Sequence, residues 1–175
     1  ALAAMSVGTL TVNAGGLVED LGLITNTSVS ITTTGDVTLN DDQTLTTFSI
    51  DGANVALTHS GALDLGTTTA SGTLDVTAGG AITQTGGALD VTGVATFDTG
   101  GSSSITLNDP TNAFTTFDVA STGDTVQVTD VDGIALAAMS VGTLTVNAGG
   151  LVEDLGLITN TSVSITTTGD VTLND

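Results

Sequence analysis

Neither lysine nor arginine occurs anywhere in these 175 residues, whereas 19 aspartates and glutamates give a formal charge of −19. Phosphate groups are bound by neutralising them with cationic side chains, so nucleic acid and anionic membrane surfaces are excluded as partners. Cysteine is absent too, which removes disulfides and leaves the redox compartment open. No tryptophan or tyrosine is present, and four phenylalanines supply every aromatic ring, so a core must come from Val, Leu, Ile and Ala. The missing Trp and Tyr also remove the usual aromatic platform for a sugar. One histidine cannot build a His-based metal cluster. No apolar run is long enough to cross a bilayer, so no membrane insertion is expected of this segment.

What is present favours strands and turns. Thr and Val suit strands, and 23 glycines supply tight turns. Mean hydropathy is positive, at +0.41. Ala135 to Met139 is the one short stretch whose local propensity permits a turn of helix. The first 41 residues, Ala1 to Asp41, return unchanged as Ala135 to Asp175, an offset of 134. Residues 1–134 are therefore one full long repeat, and 135–175 open a second. The expectation is a segment of a longer tandem array, continuous over 1–175.

A shorter pattern runs inside the long one. An apolar-x-apolar pair recurs at Leu10/Val12, Val29/Ile31, Phe48/Ile50, Leu74/Val76, Ala95/Phe97 and Phe117/Val119, then restarts at Leu144/Val146 and Val163/Ile165. The spacings are 19, 19, 26, 21, 22 and 27 residues. Such alternation marks strands with one buried face, so these pairs are the candidate core. Six residues after each first apolar position stand Gly16, Gly35, Asn54, Gly80, Gly101 and Gly123. Gly and Asn adopt positive φ most readily, which predicts a left-handed turn at one place in each unit. Val37/Leu39, Val55/Leu57, Ile105/Leu107 and Val126/Val128 read as second strands. Leu63/Leu65, Leu89/Val91 and Ile134/Leu136 read as third ones.

Units of this size cannot bury a face alone, and stacking them makes a continuous core. The expected fold is all-β: a parallel β-helix (β-solenoid) with about 19–27 residues per coil and about eight coils. Tandem β-sandwiches fit the composition less well, because the period is short and the Trp and Tyr of immunoglobulin-like domains are missing. Disorder fits the charge but not the periodic apolar residues.

The segments Gly72-Thr73-Leu74-Asp75-Val76-Thr77-Ala78-Gly79-Gly80-Ala81-Ile82-Thr83 and Gly8-Thr9-Leu10-Thr11-Val12-Asn13-Ala14-Gly15-Gly16 resemble repeats of filamentous-haemagglutinin-like adhesins, very large bacterial surface proteins. The resemblance implies a right-handed β-helix, export to the cell surface, and service in adhesion or as a stalk. It carries over no functional residue. This chain differs from the family in lacking its secretion domain and every basic residue.

The search for chemistry returns little. His59 has Ser60 beside it and Asp64 nearby, but in an extended chain Ser60 projects opposite to His59 and no strand-to-helix elbow surrounds it. A surface histidine is the expectation. Glu19-Asp20, Asp41-Asp42 and Asp130-Val131-Asp132-Gly133 offer oxygen ligands; Asp130 and Asp132 are weak calcium candidates without the remaining ligands of a calcium loop. Calcium is the one cofactor considered, and solvated turn acids are the simpler expectation.

The outward residues of the first strands are Thr9/Thr11, Ser28/Ser30, Thr47/Ser49, Thr73/Asp75, Val94/Thr96 and Thr116/Asp118, which stacking would align into two lateral ranks. The sequence thus predicts a non-enzymatic structural repeat of an extracellular adhesin or fibre. Its partners would be flanking repeats of the same chain, or further copies by end-to-end self-association. The alternative is a binding module using the lateral Thr/Asp face for ice, calcium or polysaccharide.

Overall fold

The computed structural model describes residues 1–40 and 44–174. Among the described residues nineteen strands form, every pairing between them is parallel, and no helix occurs. The stretch expected to permit a helical turn instead closes the strand Ile134–Leu136 and opens Met139–Ser140. The architecture is a parallel β-solenoid of about eight turns. A coil has three sides, seen most simply as Thr143–Ala148, Val152–Asp154 and Ile158–Thr159, after which Ser162–Thr167 begins the next level. Alternation places one residue in two inside the coil, and the backbone N–H and C=O groups pair with the coils above and below.

The register shows how the levels follow one another. Leu10 lies beside Val29, Val29 beside Phe48, Phe48 beside Leu65, and Leu65 beside Gln84. In the adjoining column Asp64 lies beside Thr83, Thr83 beside Thr106, Thr106 beside Gln127, Gln127 beside Thr145 and Thr145 beside Ser164. Counted through these adjoining columns, seven steps lead from the first repeat's opening strand to the second's, so the 134-residue period holds about seven coils. The spacing of apolar pairs implied six. Paired residues lie between 17 (Phe48 and Leu65) and 23 (Ile82 and Ile105) apart, a narrower range than the expected 19–27.

The discrepancy sits at the two longest spacings. Leu74 stacks on Val55, not on Phe48, and Leu144 stacks on Val126, not on Phe117. At each break the next apolar pair lies a full coil and one further side along the chain. The expected single rank is therefore three: Leu10/Val12 with Val29/Ile31 and Phe48/Ile50; Leu74/Val76 with Ala95/Phe97 and Phe117/Val119; and Leu144/Val146 with Val163/Ile165. All three sides use the same apolar-x-apolar pattern, so spacing alone cannot say which side a pair belongs to.

The core runs along the inside of the stack. Val29, Ile31, Phe48, Ile50, Leu74, Val76, Phe97, Phe117 and Val119 are buried as expected. Leu10 and Val12 are only partly buried, while their equivalents Leu144 and Val146, paired with Val126/Val128 and Val163/Ile165, are fully buried. Phe97 and Phe117 have ring centroids 5.3 Å apart, and Phe114 packs 5.6 Å from Phe117 and 6.4 Å from Phe97. These rings fill the part of the stack where the coils are longest, an interior that Val and Leu would leave underfilled.

The six predicted turn residues all fall at bends between strands, but the reason given for them is wrong at four. Only Gly101 (φ 112°) and Gly123 (φ 79°) have the positive φ expected; Gly16, Gly35, Asn54 and Gly80 do not. At Gly35, and less tightly at Gly80, glycine answers to the closeness of stacked turns. A Cβ on Gly35 would lie 2.5 Å from the carbonyl carbon of Gly16, and one on Gly80 would lie 3.1 Å from the amide nitrogen of Ala62. Asn54 works through its side chain. Its amide nitrogen donates to Asp36 Oδ1 of the preceding coil at 2.8 Å, and its Oδ1 accepts from Thr73 N of the following coil at 3.0 Å.

Candidate functional site

The lateral ranks follow the breaks in the core. Thr11, Ser30 and Ser49 stand in one column, and Thr9 and Ser28 lead the neighbouring one, which the backbone of Thr47 continues. Asp75, Thr96 and Asp118 form a separate column beside Val94 and Thr116 on another side. The two long ranks expected from the sequence are thus short arrays on different sides. Thr73 is not free within its array, since its hydroxyl donates to Asn54 Oδ1 at 3.2 Å.

Asp130 is buried, and both its carboxylate oxygens are engaged. Oδ2 accepts the backbone N–H of Phe114 at 2.7 Å, and Oδ1 accepts that of Asp132 at 2.9 Å. Burial pushes its carboxyl above the ordinary 3.8; the two amides pull it down less, and the neighbouring Asp132 charge adds to the rise. Asp90, Asp130, Asp132 and Glu153 line an open groove of about 350 Å³. Among the described residues, no three His, Cys, Asp or Glu side chains converge in a way that could hold a metal ion. The Glu19-Asp20 pair is drawn into the stack, where Asp20 Oδ1 accepts Asn40 N at 3.0 Å. Asp41-Asp42 lies outside the described residues.

His59 caps its own turn: Nδ1 accepts the N–H of Gly61 at 2.9 Å, which places the ring proton of the neutral form on Nε2. Of the polar residues nearby, Asp64 is committed to the next coil, accepting the Thr83 hydroxyl at 3.0 Å.

Two buried polar clusters were not legible in the sequence. Fully buried Asp124 accepts the hydroxyl of Thr99 at 2.8 Å, the N–H of Ser103 at 2.8 Å and the hydroxyl of Ser121. Gln84 and buried Asn112 exchange amide hydrogen bonds of 2.6 and 3.0 Å, while Asn112 Oδ1 also accepts Leu89 N at 2.8 Å. Both clusters join residues more than twenty positions apart at corners where coils change length. Spacing within one strand carries no signal of such pairs. A third feature is apolar: Leu21 and its equivalent Leu155 are 70% and 61% exposed, and Leu17, Leu23, Leu151 and Leu157 are exposed near them in sequence. Both copies of the repeated segment therefore set these three leucines on the outside.

Polar side chains such as Asn54, Asp64 and Asp124 act between neighbouring coils, and the geometry defines a protein whose class is the acidic, parallel β-solenoid. Residues 52–120 match a family model described as repeats of unknown function (DUF5649), which covers the coils of most variable length. No curated protein and no solved structure matches the chain.

Proposed function

We propose that this chain is a non-enzymatic structural segment, a rigid acidic shaft within a large extracellular bacterial adhesin or fibre. The observation that carries the reading is the junction between repeats. Strand Thr125–Asp130 of the first repeat pairs with Thr143–Ala148 of the second over six consecutive residues, from Thr125 with Thr143 to Asp130 with Ala148. Val126 and Val128 meet Leu144 and Val146 in the same core, so one repeat passes into the next without a gap or a hinge. The resemblance of the Gly-Thr-Leu tracts to surface adhesin repeats supports the location, and the charge of −19 supports solubility and mutual repulsion of neighbouring shafts.

Coils separated by the ordinary strand spacing of about 4.8 Å make a seven-coil period about 34 Å long. Electron microscopy of arrays of one, two and four periods tests this reading. Rod length should grow by about 34 Å per period, and deleting a period should shorten reach without abolishing binding by a terminal domain. Length that fails to grow with repeat number would overturn the shaft. Loss of a defined ligand at unchanged reach would favour a lateral binding face instead.

A further inference from the structure

The open groove beside Asp130 lies across the boundary between the two repeats. Asp90, Ala113 and Asp132 come from residues 1–134, whereas Ala135, Leu151 and Glu153 come from 135–175. It sits within the stack of coils: Asp90 pairs with Thr69 on one side, and Glu153 pairs with Thr172 on the other. The hollow follows from side-chain size. Asp90 lies beside Ala113, and Ala135 beside Glu153, so small residues stand between the acids of successive coils. Gly133 adds no side chain at all. What remains is a trough of about 350 Å³ with an apolar floor and an acidic rim. On the last of its four coils, Leu151 turns 43% of its surface outward.

These features select the occupant. The carboxylates are spread over four coils, and among the described residues no three converge to hold a metal ion. A long cationic side chain meets the floor and the rim together, with its methylenes on the alanines and Leu151 and its head among the acids. A second copy of this chain has no lysine or arginine to supply one. We propose that the groove docks a basic segment of a different protein, seating one lysine or arginine side chain between Asp90, Asp132 and Glu153. An open groove covers only one face of its occupant, so binding draws on the adjoining contacts that a peptide brings and a free amine lacks. The charge of −19 attracts such a segment to the surface, and the groove decides where it rests. The inference stands without the shaft reading, because the groove is built by two adjoining repeats whatever the array does.

Fluorescence anisotropy of a labelled peptide of alternating lysine and glycine, added to the whole chain at about 0.15 M salt, reads the docking. Glu153→Gln and Asp132→Asn should each weaken binding about three- to five-fold, and Asp75→Asn, outside the groove, less than about two-fold. Thr115 is exposed in the groove, and Thr115→Lys places a cation of the chain's own there. It should weaken binding about ten-fold, whereas Thr11→Lys, several coils away with the same charge, should weaken it about two-fold or less. Ala113→Leu fills the hollow at constant charge and should also weaken binding. Circular dichroism checks the fold of each variant, and Thr115→Lys carries the test should Ala113→Leu not fold. Equal losses at Glu153 and Asp75, or from the two lysine variants, would mean attraction by general charge alone and overturn the site. Displacement by spermidine as readily as by unlabelled peptide would assign the groove to free amines. Displacement by Ca²⁺ beyond that by sodium chloride of equal ionic strength would assign it to a metal ion. Either result overturns the proposal, as does an absence of peptide binding.

Discussion

Val29 and Val163 occupy the same place in the 134-residue period, yet Val29 is 1% exposed and Val163 is 47% exposed. Their local sequences are identical over the whole repeated segment, so the difference comes entirely from the coil above. Val29 lies between Leu10 and Phe48; among the described residues Val163 is paired with Leu144 alone. In a solenoid, burial belongs to the stack rather than to the strand.

The duplicate segment makes this measurable with one substitution at two positions. Ile31→Asp buries a carboxylate in a chain with no cationic side chain to pair with it, and should cost about 3 kcal/mol or more in urea unfolding. Ile165→Asp, on the last coil, should cost much less, and Ser30→Asp, pointing outward, should be nearly silent. Equal costs at Ile31 and Ser30 would refute the register.

Gly16 and Gly35 hold the same slot of the short pattern but differ in what surrounds them. Nothing lies within 4 Å of a Cβ built on Gly16, whereas one on Gly35 meets backbone at 2.5 Å. Gly35→Ala should destabilise by about 1–3 kcal/mol through overpacking, and Gly16→Ala should change the melting temperature little. A left-handed turn at both would penalise them alike.

Asp124 closes a corner that has no apolar substitute. Asp124→Ala leaves the Ser103 N–H and the Thr99 and Ser121 hydroxyls without their buried acceptor, a loss of about 2–4 kcal/mol. Amide exchange at Ser103 should accelerate more than at Val29, several coils away. Uniform acceleration along the whole stack would instead mean that the solenoid unfolds as one unit.

Asp130 sets a pH dependence of definite sign. Its carboxyl in the folded chain titrates above the ordinary 3.8, so the folded state holds the proton more tightly than the unfolded state. The stability from this group is present below 3.8 and lost as pH rises through the folded value. Asp109 runs the other way, its carboxyl lowered by the Thr111 hydroxyl and amide, but that carboxyl lies at the surface and weighs little. Asp130→Asn should remove the Asp130 part of the pH dependence. Unfolding curves of both proteins between pH 3.5 and about 7 measure the difference, and parallel profiles would exclude the assignment.

The alternation at Leu10/Val12 or Phe117/Val119 and the absence of Trp and Tyr were enough to identify stacked parallel coils. The glycines at fixed positions located the bends. Less was legible at Phe48 and Leu74, where a spacing of 26 residues concealed a change of side, or at Asn54, whose contribution is a bridge between coils. Gln84 with Asn112 and Thr99 with Asp124 were invisible, because partners far apart along the chain become neighbours only when coils of unequal length are stacked.

The sequence by itself determined the strand-forming alternation, the strict 134-residue return and the one-signed charge, since each is a property of residue order and residue type. Tertiary structure alone decided which side of the coil each apolar pair lines, that seven coils fill a period, and why Gly35 tolerates no Cβ. Those depend on which backbone lies about 4.8 Å above or below, and that neighbour is a whole coil away along the chain.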